Sequence, residues 1–145
     1  MNRRGITLME TLLYCALLGI LAAGALPAGY ALLSAAERGR EDVRAAQEAA
    51  FVAAKVDWAL SEARAGGVSI ADDGGLSIRT RDPARDPIVV RGSDSQICLR
   101  SGAGACDPLT SPYRQARISF SQAAGTLAVR IAVARATLTI TRPLP

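Results

Sequence analysis

The sequence predicts an α+β chain. A long N-terminal α-helix, transmembrane in its first half and amphipathic in its second, packs on a small, mainly antiparallel β-sheet head. Three observations predict it. Thr11 to Ala36 is a run of 26 residues without a charge; apolar residues then recur at helical spacing as far as Ala63; from Gly67 the period changes to two. The length of 145 residues suits one domain rather than two. Half the residues are hydrophobic, which excludes the low-hydrophobicity, high-charge signature of disorder. There is no histidine, so a Ser-His-Asp or Cys-His triad and any histidine metal site are excluded.

The first element is the uncharged run. Eighteen or more such residues are enough to cross a hydrocarbon core of ~30 Å as a helix. Arg3 and Arg4 precede the run and no basic residue follows until Arg38, which places the N-terminus in the cytoplasm and exports the rest. Gly19, Gly24, Pro27 and Gly29 interrupt it, as membrane helices tolerate. Pro27 lacks an N–H and disfavours the helical region for Leu26, so it marks an expected helix break. A cleaved secretory signal is the rival reading, with Arg3-Arg4 as n-region, Thr11 to Ala28 as h-region and a cut near Gly29 or Ala31. The run is longer than a ~7–15-residue h-region, and Glu10 stands at its entrance.

Arg3-Arg4-Gly5-Ile6-Thr7-Leu8-Met9-Glu10 before an apolar run resembles the leader of type IV pilins and pseudopilins. The resemblance implies residues 1–5 as a prepilin leader, cut by prepilin peptidase between Gly5 and Ile6, with N-methylation of Ile6. It makes Glu10 the fifth mature residue and Pro27 the twenty-second, where many pilins carry proline. Ile6 stands where phenylalanine or methionine is more common. It also implies that Glu10 serves assembly, its carboxylate meeting the N-terminal amine of a neighbouring subunit. A carboxylate at a helix centre in lipid costs ~2.5–3.5 kcal/mol on insertion scales, so a cationic partner fits it. Snorkelling of Glu10 to the interface is the alternative. The implied partners are prepilin peptidase, other pilin subunits in a homo- or hetero-filament, the inner-membrane assembly platform and membrane lipid. The implied location is the cytoplasmic membrane, single-pass, and then a pilus or pseudopilus.

With residues 6–36 as the transmembrane part, residues 37–66 read as an amphipathic continuation. Ala45, Ala49, Val52, Val56, Ala59, Leu60 and Ala63 form one stripe, with Arg44, Lys55 and Glu62 off it. Phe51 and Trp58 form a second apolar strip, read as packing under the sheet or as a subunit contact. Arg64 and Gly66-Gly67 read as the helix C-terminus. Ile6 to Ala65 would make ~90 Å of helix against a radius of gyration of ~15 Å for a compact domain of this size. Most of such a helix must be buried elsewhere, first in the membrane and then among subunits.

Residues 67–145 form the expected β-rich head. Val68 to Ile70, Leu76 to Arg79, Ile88 to Val90, Ile97 to Arg100, Arg117 to Phe120, Leu127 to Val133 and Ala136 to Thr141 are strand candidates. Asp72 to Gly75 and Gln122 to Gly125 read as hairpin turns. Apolar parity is odd from Leu127 to Val133 and even from Ala136 to Ile140, which requires a break near Ala134-Arg135.

Cys98 and Cys106 in an exported head could close a small disulfide loop; free thiols are the alternative, since spacing does not establish geometry. Cys15 lies in the membrane run as a small apolar filler. Two cysteines without histidine make a poor zinc site, and Asp72-Asp73 lacks the alternating ligands of a calcium loop, so no cofactor or metal is expected. The head holds ten arginines, no lysine and six acids. Arginine suits phosphate contacts, but the mixed charges from Arg79 to Asp86 read as a solvated face, which argues against nucleic acid. The expected function is structural and not enzymatic: a pilin or pseudopilin subunit, minor because the head is short. The alternative is a secreted or membrane-anchored β-domain that binds rather than polymerises, including a DNA-binding minor pilin.

Overall fold

A computed structural model of the protein describes residues 8–93 and 95–144. One helix, α1 (Leu8–Ser61), is followed by eight strands: β1 (Ala63–Ile70), β2 (Leu76–Thr80), β3 (Ile88–Gly92), β4 (Ile97–Ser101), β5 (Asp107–Pro108), β6 (Ala116–Ala123), β7 (Thr126–Val133) and β8 (Ala136–Pro143). The strands form two antiparallel sheets, one ordered β1-β2-β3-β4-β5 and the other β6-β7-β8. The fold is therefore α+β as expected, with two sheets where one was anticipated. The chain divides into two compact units, residues 1–41 and 42–145, so the amphipathic half of α1 belongs with the sheets.

In the second unit the expected stripe is the buried one. Ala45, Ala49, Val52, Val56 and Ala59 are all at most 2% exposed, and Ala53 joins them. They share one core with Leu76, Ile78, Ile88, Val90, Ile97, Leu127, Val129, Ile131 and Val133. Alanine on the helix and branched aliphatics on the strands suit this contact, since small helix side chains let the backbone approach a pleated surface closely.

The helix ends earlier than its periodicity suggests. Ser61 is its last residue, its hydroxyl donating to the Trp58 carbonyl at 2.6 Å, and Ala63 already pairs with Thr80 in β1. Arg64 to Gly67 are therefore not a helix terminus. They form an irregularity in β1, whose register jumps between Ala63 and Val68. Gly66 sits at φ +69°, and a Cβ on Gly67 would lie 3.0 Å from the Arg79 backbone oxygen and from its Cβ. The glycine pair thus serves a bulge and a close strand approach. Pairing across the sheet, invisible to local pattern, overrides the helix signal.

The turns are where the sequence places them. Asp73 accepts the Gly75 N–H at 3.0 Å in the β1–β2 turn. Ala124 and Gly125, at φ 47° and 76°, make the two-residue β6–β7 loop. Ala134 at φ 50° opens the β7–β8 turn and provides the change of parity. Leu127, Val129, Ile131 and Val133 are fully buried on β7; of their cross-strand partners on β8, Ile140, Leu138 and Ala136 are half-buried and Arg142 is exposed.

Candidate membrane-anchor and assembly site

The site residues divide between the two units. In the first, α1 carries an 18-residue window of mean hydropathy 1.9, none of it buried among the described residues. Leu12, Leu13, Leu17, Leu18, Ile20 and Leu21 are each at least half exposed. A helix this long and this apolar meets the requirement for crossing a membrane. The two aliphatic hydroxyls of its apolar half bond within the helix: Thr11 Oγ1 donates to the Leu8 carbonyl at 2.8 Å, and Ser34 Oγ to the Ala31 carbonyl at 3.0 Å. In a hydrocarbon surrounding, that would remove the cost of presenting these two donors unpaired.

Glu10 lies in the first turn of the described helix, exposed, and no cation among the described residues pairs with it. Gly5 and Ile6, the expected cleavage and methylation positions, lie outside the described residues. Cys15 is exposed and unpaired. The break expected at Pro27 does not occur, because α1 is continuous through it. Proline removes its own N–H from the ladder and its ring crowds the carbonyl four residues back, yet the Ala- and Leu-rich flanks keep the turns on either side helical.

In the second unit, Phe51 and Trp58 correct the expectation that they pack under the sheet. They are 49% and 36% exposed and lie off the buried stripe. Lys55 Nζ stands 5.7 Å from the Phe51 ring centroid and 5.8 Å from that of Trp58, and the Arg85 guanidinium carbon is 5.9 Å from Trp58. The helical spacing of Phe51, Lys55 and Trp58 could have suggested the group, but Arg85 comes from the β2–β3 loop and could not be read from it. Arg85 also approaches Asp82 at 3.5 Å.

Two long-range ion pairs join α1 to the C-terminal part of the chain. Arg114 meets Glu48 at 3.4 Å with both side chains largely covered, and Arg142 meets Asp57 at 2.6 Å. Arg91 pairs with Asp73 at 2.7 Å. Neither helix pair was visible in the sequence, since nothing local links residues so far apart.

Cys98 on β4 and Cys106 before β5 form a disulfide with their Cα atoms 5.6 Å apart, closing the loop that leads into β5. Asp72 and Asp73 lie in the exposed β1–β2 turn, with Asp73 engaged by Gly75 and Arg91. Among the described residues no three His, Cys, Asp or Glu side chains gather as a metal-binding group. Comparison with protein-family models, curated proteins and solved structures finds no match for this chain.

Proposed function

We propose that the chain is a structural subunit of a type IV pilus-like filament, a minor pilin or pseudopilin, and not an enzyme. Prepilin peptidase cuts it between Gly5 and Ile6 and methylates Ile6. The single observation that carries this reading is Gly5, Ile6 and Glu10 standing immediately before an uncharged run of 26 residues. Two features of the fold are compatible with it. Among the described residues the apolar half of α1 is exposed, and its amphipathic half lies in the core of the β-rich unit. In this reading the N-terminus is cytoplasmic, the strands are exported, and the helix passes from lipid into contact with other subunits on an assembly platform.

The test is the mass and N-terminal sequence of the mature protein from its native membrane. A methylated N-terminus at Ile6 is expected. A start near Leu32 would mean an ordinary secretory signal and overturn the reading.

A second reading, a membrane-anchored domain that binds nucleic acid and does not polymerise, rests on one observation. Residues 108–145 contain five arginines and no acid, and Arg117 and Arg130 stand on neighbouring strands, on the face of the second sheet away from the core. DNA affinity that falls steeply with salt, and weakens on Arg117→Ala and Arg130→Ala, would favour it.

A further inference from the structure

The two sheets have four edge strands, and three of them are protected. β1 is broken by its irregular register, β5 is two residues long and contains Pro108, and β6 is met along its first part, where Ala116 donates its N–H to the Ser95 carbonyl at 3.2 Å and Gly92 lies against the Ile118 backbone. β8 differs. It is eight residues long, in unbroken register with β7, and uncharged from Ala136 to Thr141. It lacks the charges, bulges and prolines that natural edge strands carry along their length, save for Arg142-Pro143 at its end.

The direction of each backbone group on this edge follows from one bond. Leu144 donates its N–H to the Gly125 carbonyl at 2.8 Å, which makes Pro143 and Thr126 a non-hydrogen-bonded pair. Alternation then turns Ala136, Leu138, Ile140 and Arg142 toward β7. Thr137, Thr139 and Thr141 present N–H and C=O groups at the open edge. Pro143 shares their phase, so its missing donor falls on the open side, where an edge strand tolerates proline.

We propose that β8 pairs antiparallel with β8 of a second copy of this chain, centred on Thr139 opposite Thr139, joining the two three-stranded sheets into one. Self-pairing is the occupant that the edge itself specifies. In this register the outward-bonding residues between Ala136 and Arg142 meet others of the same kind: Thr139 with Thr139, and Thr137 with Thr141. Leu138 falls opposite Ile140, extending cover over two half-buried side chains. Facing threonines are a favourable cross-strand pair, and no like charges meet within the paired stretch. Arg142, which falls opposite Ala136 at the margin, is already neutralised by Asp57.

The register is testable by cysteine capture in the full chain in detergent, with Cys15→Ser to remove the exposed thiol. Residues opposite each other in a hydrogen-bonded pair have Cα atoms ~5.5 Å apart, inside the ~4.4–6.8 Å range of disulfides. Thr139→Cys should therefore form covalent dimers under mild oxidation. Thr137→Cys and Thr141→Cys alone should yield several-fold less, because each lies ~13 Å from its own copy in the partner. A mixture of the Thr137→Cys and Thr141→Cys chains should restore the yield. Adding Thr139→Lys, which places like charges face to face on an exposed surface, should lower that mixed yield several-fold. Equal yields at the three positions, no capture at any of them, or indifference to Thr139→Lys would overturn the proposal.

Discussion

Arg142 at the end of β8 reaches Asp57 on α1 at 2.6 Å, and Arg114, ahead of β6, reaches Glu48 on the same helix at 3.4 Å; the shorter contact is the more exposed one. The Arg142 and Asp57 side chains are 52% and 45% exposed, against 22% and 27% for Arg114 and Glu48. Water and salt screen the first pair, whereas the second includes a Glu48 oxygen, Oε2, that is buried without a partner among the described residues.

Burial and not distance should therefore rank the two in a stability measurement. Asp57→Asn is expected to cost under ~1 kcal/mol. Arg114→Met leaves the Glu48 carboxylate half-covered and unpaired, and should cost ~1–3 kcal/mol. Denaturant unfolding of both variants in detergent, followed by far-UV dichroism, checks the order. Equal losses would show that Glu48 is better solvated than its surroundings indicate.

Trp58 is the only tryptophan, so intrinsic fluorescence reports the cluster that it forms with Phe51, Lys55 and Arg85. Two cations beside a partly exposed ring should draw anions toward it. Iodide is expected to quench this emission more strongly than caesium does, with the difference shrinking at high salt and on Lys55→Gln. Identical quenching by the two ions would mean that the cations are not held near the ring.

The helix–sheet contact depends on small residues. Ala49 is 2% exposed in the core that α1 shares with both sheets. Ala49→Leu adds three carbons where there is no room and should destabilise by ~1–3 kcal/mol. Ala50, its exposed neighbour, supplies the control: Ala50→Leu should change stability by less than ~0.5 kcal/mol. A loss shared equally by the two variants would contradict the assignment of the buried stripe.

That stripe was legible because helical periodicity is a local property, and the same holds for the period-two strands from Leu127 to Ile140. What failed were features decided across the sheet. Gly66-Gly67 carries a helix-stop signal, yet Ala63 pairs with Thr80 and the glycines serve a bulge. β5 is too short to show any period. Phe51 and Trp58 are apolar and seven apart, which fits a buried strip as well as an outward one; only the positions of Lys55 and Arg85 distinguish them. Gly5, Ile6 and Glu10 speak through chemical order along the chain, which no packing within a single copy reports.

Removal of the Cys98–Cys106 bond should matter modestly. A loop this short implies ~2–3 kcal/mol from the entropy of the unfolded chain. Cys98→Ser with Cys106→Ser should lose that amount in denaturant unfolding. Alkylation before reduction should label Cys15 alone in the native protein. Labelling of all three thiols would show that the bond does not form in the native compartment.

Glu10 decides between assembly and simple anchoring. Thr11 to Ala36 is long and apolar enough to cross a membrane without it, so neutralising this residue should make insertion easier. In a filament of the proposed kind, Glu10→Leu would leave the Ile6 amine of a neighbouring subunit buried without its counter-charge. Removing one member of a buried pair costs ~3–5 kcal/mol, enough to exclude a subunit held by repeated weak contacts. The variant is therefore expected to be cleaved and inserted like wild type, yet depleted from sheared filaments. Quantifying it in membrane and filament fractions, beside wild type and beside an uncleaved Gly5→Val precursor, separates insertion from assembly. Undiminished incorporation would mean that Glu10 only snorkels to the interface, and the pairing role would fall with it.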